Sequence, residues 1–336
     1  MMNVIIPSTK INRIITGNHR TGMRYVTILQ KLGINSRLIF DYEFEQNITT
    51  TNSAIILHAK KNHKIASICQ KKLIPYVLVL TGTDIYSDLS KKNSTCYKKC
   101  FESILGAKAI VVLQPDAKKK LQEIIPDLNI NIYVIFQSTN ICDQNKKLIK
   151  NDKQISILMV GNIRREKETL LGINGFAHAH SACKDVVDIQ ICLTHIGTEL
   201  EENYTKIVKK KANKTPTIRF LGFRDNLKVI SMMNQSDLLL NPSAIEGGCL
   251  VIKEAIDLNL PILASDIGCH KEMLGTDYPG LFMAKNCNSI TKKLKSFIMK
   301  KKIRELWKNS LRDSPLALYT EKDEARLLAK VAKSNL

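Results

Sequence analysis

Two glutamates eight positions apart, Glu246 and Glu254, share the stretch NPSAIEGGCLVIKEA (241–255) with a glycine pair, Gly247 and Gly248. A carboxylate that faces a vicinal diol accepts two charge-assisted hydrogen bonds, so Glu254 suits a ribose and Glu246 a second sugar hydroxyl. The glycines let backbone N–H groups come close to a ligand. The same acids also read as a cap and an exposed helix glutamate, and the apolar Ala255 and Ile256 after Glu254 leave both readings open. A second constellation lies upstream in ILMVGNIRREK, where Gly161 is followed by Arg164 and Lys167, three residues apart. A guanidinium fork and an ammonium point charge along one side of a starting helix suit a diphosphate. Alone they would be ordinary surface charge; with the two acids in the same half of the chain, the ligand reading is favoured.

In the first half, TGNHRTGMR places Gly17 and Gly22 with the spacing of a phosphate loop, but Met23 stands where such a loop carries lysine. No two glycines form GxG, which removes the dinucleotide fingerprint. What remains is a glycine-containing turn into a helix whose first N–H groups can face an anion, or a plain strand-to-helix connection. LTGTDIYSD offers Thr81, Thr83 and Asp84 to a sugar or phosphate, with Asp84 equally suited to capping a helix. His58, at the end of IILH, has the same place relative to its strand and is more often structural there. Cys249 lies near an expected helix N-terminus, where a thiolate would be stabilised, yet buried reduced thiols are the default for the nine cysteines.

The elements that must position these residues alternate short β-branched runs with amphipathic segments. NVII, SRLIF, AIILH, YVLVL, AIVVL and IYVIF predict strands in the first half; ISILMVG, VDIQICL, TIRFLG, DLLLN, PILAS and GLFMA predict strands in the second. Such alternation is the signature of parallel α/β sheets, whose ligands bind beyond the carboxyl ends of the strands. The polar, lysine-rich stretch from Asn140 to Gln154 reads as a linker. The expected domains are 1–150, 151–314 and a terminal helix, 315–336, that packs back on the first.

Length and composition bound the rest. A chain of 336 residues with 44% hydrophobic content can build two cores. No apolar run reaches membrane-spanning length and the N-terminus lacks a signal-peptide pattern, so a cytoplasmic protein is expected. The formal charge of +20 suggests an anionic partner, but only 11 of the 51 basic residues are arginine and the lysines are dispersed, as an AT-rich coding sequence would also produce. With 6% aromatic residues and no basic–aromatic interleaving, nucleic acid is not expected.

The two-domain pattern, VGNIRREK and the E-x7-E arrangement of Glu246 and Glu254 resemble the retaining-type glycosyltransferases of the GT-B fold, the group that includes sucrose-phosphate synthases and bacterial mannosyltransferases. LHAKKN, LTGTDIYSDL, VVLQPDA, VIFQST and LGTDYPGLF are similar to segments of the selenosugar synthase subfamily of bacterial selenoneine biosynthesis. The resemblance implies two Rossmann-like domains facing a cleft, and a reaction of a UDP-sugar, UDP-N-acetylglucosamine in the subfamily, with selenophosphate to give a 1-seleno sugar, UDP and phosphate. Carried onto matching positions, Arg164 and Lys167 neutralise the donor diphosphate, Glu254 holds the ribose and Glu246 the transferred sugar. Gly161, Gly247 and Gly248 complete the donor side; Glu246, Arg164 and Lys167 form the expected catalytic set. Gly17, Asn18, Thr21, Arg24, His58, Thr81, Thr83 and Asp84 line the acceptor side. No cofactor and, without a DxD pair, no metal is expected. The chain departs from the subfamily pattern at His19, Ala244, Leu250, Cys269 and His270. Two alternatives stand beside this one: transfer to a hydroxyl acceptor of envelope polysaccharide or lipid, with peripheral membrane contact, and a non-catalytic protein binding sugar nucleotides or nucleic acid.

Overall fold

The structure, a computed structural model, describes residues 3–8, 17–141 and 153–335. The linker expected from Asn140 to Gln154 falls mostly, over 142–152, outside the described residues. The chain divides into two compact units: Met1–Ser138 with Glu246–Gly248 and Tyr319–Leu336, and Thr139–Ile245 with Cys249–Leu318.

The first unit holds strands β1 (Asn3–Ser8), β2 (Asn35–Phe40), β3 (Ser53–Leu57), β4 (Tyr76–Leu80), β5 (Ala109–Val112) and β6 (Ile132–Val134). They alternate with helices α1 (Gly17–Lys31), α2 (His63–Lys71), α3 (Thr95–Leu105) and α4 (Pro115–Ile124). All strand pairings are parallel, in the order β2-β1-β3-β4-β5-β6. Because side chains alternate along a strand, β4 feeds two cores at once. Val77 and Val79 pack with Tyr25, Ile28 and Leu29 of α1, whereas Leu78 and Leu80 pack with Ile65 of α2, Ile104 of α3 and Leu121 of α4. This is why YVLVL is apolar throughout: neither face of the strand meets water.

The second unit repeats the plan with β7 (Gln154–Val160), β8 (Gln190–Ile196), β9 (Ile218–Phe220), β10 (Leu238–Asn241), β11 (Ile262–Ser265) and β12 (Leu281–Phe282). Its helices are α5 (Thr169–Cys183), α6 (Glu202–Ala212), α7 (Asn226–Gln235), α8 (Leu250–Asp257), α9 (Gly268–Leu274), α10 (Cys287–Met299) and α11 (Lys301–Ser310). The order is β12-β11-β10-β7-β8-β9, again parallel. Each of the twelve sequence-predicted strand segments overlaps one of these strands. The terminal helix α12 (Glu321–Asn335) belongs to the first unit, where Leu328, Val331 and Ala332 join the α1 core.

The topology locates the ligand edge of each sheet. Strand order reverses between β1 and β3 in the first sheet and between β7 and β10 in the second. Such reversals open a crevice, because the helices on either side of the reversal lie on opposite faces. Among the described residues, no helix is long and apolar enough to cross a membrane.

Candidate active site

In the second unit the loop after β7 carries the basic pair. The chain leaves Val160 through Gly161 and returns to an extended conformation at Arg164; a 3-10 turn (Arg165–Lys167) and a left-handed Glu168, φ 48°, then lead into α5. The loop is tied to its neighbour: Ile163 N–H donates to the Thr198 carbonyl at 2.8 Å, and Thr198 N–H donates to Asn162 Oδ1 at 2.9 Å. A Cβ at Gly197 would lie 1.9 Å from the Gly161 carbonyl oxygen, so only glycine allows the loops after β7 and β8 to meet. Arg164 Nη1 stands 3.6 Å from Glu166, while its buried Nε has no hydrogen-bond partner among the described residues. The side chain as a whole stays 30% exposed, so the guanidinium's other N–H groups can face an anion.

Gly161, Lys167, Thr169, His195, Asn241 and Ser243 line a small crevice at the β7–β10 reversal. The turn after β10 is fixed by Ser243 N–H on Asn241 Oδ1 (3.1 Å) and Ala244 N–H on the Glu166 carbonyl (2.9 Å). Ser265 Oγ donates to the Ser243 carbonyl at 2.5 Å, and His270 Nδ1 lies 2.8 Å from the Ser265 carbonyl. The Arg–Lys loop and the turn that leads toward Glu246 are thus joined by a backbone hydrogen bond. On α8, Glu254 is buried, as are Lys253, which pairs with Asp257, and Cys249, whose sulfur accepts from Asn241 Nδ2 at 3.0 Å. A buried Glu254 removes the reading of an exposed helix charge. Cys249 Sγ and a His270 ring nitrogen lie within 4.8 Å of each other, a soft donor pair.

His195, which the sequence reading passed over, belongs to this crevice. Its ring tilts against Phe220, its Nδ1 has no hydrogen-bond partner among the described residues, and burial lowers its pKa to about 4. It is therefore a neutral imidazole at physiological pH. The available signal was a polar side chain in an apolar strand, QICLTHI, one residue short of the strand end.

In the first unit, His58 and Asp84 sit at the carboxyl ends of β3 and β4. Asp84 is fully buried and accepts from the backbone N–H groups of Thr81, Gly82 and Ile85, and from that of Ala59 after β3. It shapes the turn. His58 adopts φ 72°, with Nε2 2.9 Å from Thr83 Oγ1 and Nδ1 3.6 Å from Asp84. Burial lowers its pKa and outweighs the attraction of Asp84. Gly17 opens α1, with its carbonyl accepting from Thr21 Oγ1 at 3.1 Å, and Asn18 is half-buried beside it. Arg24, expected to face an acceptor, gives its Nε–H to Glu324 of α12 at 3.0 Å.

Glu246, Gly247 and Gly248 pack with this unit, and Glu246 is 9% exposed. A Cβ at Gly247 would fall 2.1 Å from the Thr81 carbonyl oxygen, and one at Gly248 2.5 Å from Leu113 Cβ. The space beside both glycines is therefore occupied by protein, a use of glycine that the expectation of ligand-facing amides had not anticipated.

The profile of the family described as "Glycosyl transferases group 1" matches residues 140–313, more than half of the chain. The chain belongs to this family. The group 1 glycosyl transferase is 26% identical, over 82% of its length and 75% of the other's, to an uncharacterised glycosyltransferase of Methanocaldococcus jannaschii. It is 24% identical, over 80% of both chains, to glycosyltransferase 1 domain-containing protein 1 of Xenopus tropicalis. Among solved structures it resembles the sucrose-phosphate synthase of Thermosynechococcus elongatus, with TM-score 0.80, 12% identity and coverage of 99% and 98%. It also resembles Anabaena HepE in complex with UDP and glucose, with TM-score 0.77, 13% identity and coverage of 99% and 100%. At these identities the likeness establishes the fold. The group 1 glycosyl transferase has the two-sheet α/β architecture of GT-B enzymes.

Proposed function

We propose that the protein transfers a sugar from a UDP-sugar donor, with the donor held by the second unit. The observation that carries this reading is the loop after β7, which brings Lys167 into the crevice at the reversal of a parallel sheet and carries the partly exposed Arg164 three residues before it, in a family of glycosyl transferases. Departure of UDP from the anomeric carbon builds negative charge on the diphosphate, and preorganised cations stabilise that charge as it develops. Glu254, buried on α8, is assigned to the ribose diol, and Glu246 to a hydroxyl of the transferred sugar. His195 stays neutral and adds a donor or acceptor without altering the charge of the crevice. The resemblance to HepE, whose complex holds UDP and glucose, supports a uridine diphosphate donor.

Two acceptors follow from different observations. The segments shared with selenosugar synthases support selenophosphate. The anomeric C–O bond to UDP would break, a C–Se bond would form, and water would then cleave P–Se to release phosphate. The acceptor arrives anionic, so no strong base is needed. The fold shared with WaaG, described as involved in lipopolysaccharide biosynthesis, supports a hydroxyl acceptor, from which the transfer must remove a proton. Incubating the protein with UDP-glucose, UDP-galactose and UDP-N-acetylglucosamine, with selenophosphate or with oligosaccharides, tests the reading. UDP release that depends on one acceptor is expected; failure of every UDP-sugar to bind overturns the donor assignment.

A further inference from the structure

Three rings stack in the first unit at the carboxyl end of β2. His19, in the first turn of α1, lies parallel to Phe40, the last residue of β2, with centroids 6.0 Å apart and planes within 19°. Phe40 in turn stacks on Tyr42 at 5.5 Å and 11°. The ladder ends in solvent, since Tyr42 is 65% exposed.

An exposed tyrosine on a loose loop would need no account, but this turn is built to hold the ring out. The Glu43 carboxylate accepts from Phe40 N–H at 2.8 Å, and Asp41 Oδ1 accepts from Tyr42 N–H at 3.0 Å. The next residue, Phe44, is fully buried and anchors the turn in the core. Asn47 Nδ2 then donates to the Glu43 carbonyl at 2.8 Å. The ring stack therefore starts from a pinned backbone and runs outward on the sheet edge where Gly17, Asn18 and Arg20 of α1 also lie.

We propose that the His19–Phe40–Tyr42 ladder is a subsite for a pyranose ring of a carbohydrate acceptor. The proposal rests on the glycosyl-transfer reading and adds the class of acceptor. A pyranose carries its C–H bonds on a flat face and its hydroxyls around the rim. Its face covers an aromatic ring while the rim stays hydrogen-bonded to water or to polar neighbours. Burial also lowers the pKa of His19, which keeps that ring uncharged and suited to a neutral sugar. A small anion such as selenophosphate has no apolar face and gains nothing from such a surface. An acceptor longer than one residue would set its terminal hydroxyl near the anomeric carbon and lay a preceding sugar on the ladder.

The experiment is saturation-transfer NMR with maltotetraose, chitotetraose and mannotetraose, run on the full chain with UDP affinity measured in parallel. Saturation of ring protons of at least one glycan is expected, with affinity falling about tenfold or more in Y42A and F40A and retained in Y42F. UDP affinity should be the same in all four proteins. Because Tyr42 is exposed, Y42A keeps the fold and separates loss of contact from loss of structure. UDP binding without binding of any of the three glycans, or glycan binding indifferent to Y42A, overturns the subsite and leaves the donor reading standing. Vesicles of anionic lipid that bind the wild type and not Y42A, with no glycan bound, would overturn it in favour of a membrane surface. Absence of UDP binding would instead count against the donor reading.

Discussion

The Glu324 carboxylate takes the Arg24 Nε–H on both oxygens, at 3.0 and 3.2 Å, with Glu324 wholly buried. The same carboxylate accepts from Ser138 N–H at 2.7 Å and Ser138 Oγ at 2.5 Å. Three segments far apart in sequence, α1, the end of the β6 connection and α12, are thereby fixed to one buried charge. Both oxygens of that carboxylate accept a hydrogen bond and its charge is paired, which is the condition under which a buried ion is tolerated.

Removing one partner leaves the other charged and buried. Glu324→Gln and Arg24→Ala should each destabilise the protein by about 3–5 kcal/mol, read as a shift in the urea midpoint. The double variant should lose clearly less than the two single losses added together. Equal and additive losses would mean that the pair is not coupled.

Lys167→Ala and Arg164→Ala should slow UDP release on the order of 10²-fold each, as loss of one preorganised charge contact does, with little change in thermal stability because neither side chain supports a core. Steady-state assays with UDP-sugar give the rates. A wild-type rate in either variant removes that residue from the diphosphate assignment.

Acid should weaken the second unit through His195. Its ordinary pKa is about 6.5 and burial brings it to about 4 in the folded chain, so between those values the unfolded chain binds the extra proton. Stability contributed by the neutral ring is intact above about pH 6.5 and is lost as pH falls toward 4, by roughly 3 kcal/mol at the limit. Urea unfolding across pH 4 to 7 should show a steeper acid loss for the wild type than for His195→Gln. Parallel profiles would contradict the burial of a neutral imidazole.

Gly197→Ala places a methyl group 1.9 Å from the Gly161 carbonyl oxygen at a backbone φ of +154°, so the loops after β7 and β8 must separate. A loss of more than about 2 kcal/mol is expected, with weaker UDP binding by calorimetry, since the same movement displaces Arg164. Retained affinity would show that the two loops move independently of the cationic pair.

The strands were legible because a strand buried on both faces has to be apolar along its length, as YVLVL and DLLLN are. Arg164 and Lys167 follow β7, the position at which parallel sheets lead one to look for ligands, and of the two readings the sequence left for Glu254 its burial removes the exposed helix charge. Arg24 lies about two turns inside α1, and nothing local announces its partner 300 positions away in α12. Asp84 reads from sequence as either ligand or cap, and only the four backbone amides converging on it show which duty it performs. His195 and the ring ladder were passed over for a related reason. Each depends on what neighbouring strands or turns place beside it, and a single polar or aromatic residue in a pattern carries no trace of that company.

The helix α12 has a consequence for how the chain is made. Leu328, Val331 and Ala332 cover a sheet face whose strands, β1 to β5, were synthesised far earlier in the chain. While the intervening half emerges from the ribosome, α1 covers part of that face and the place of α12 stays open. The core beneath α1 and α12 is therefore completed only when α12 arrives.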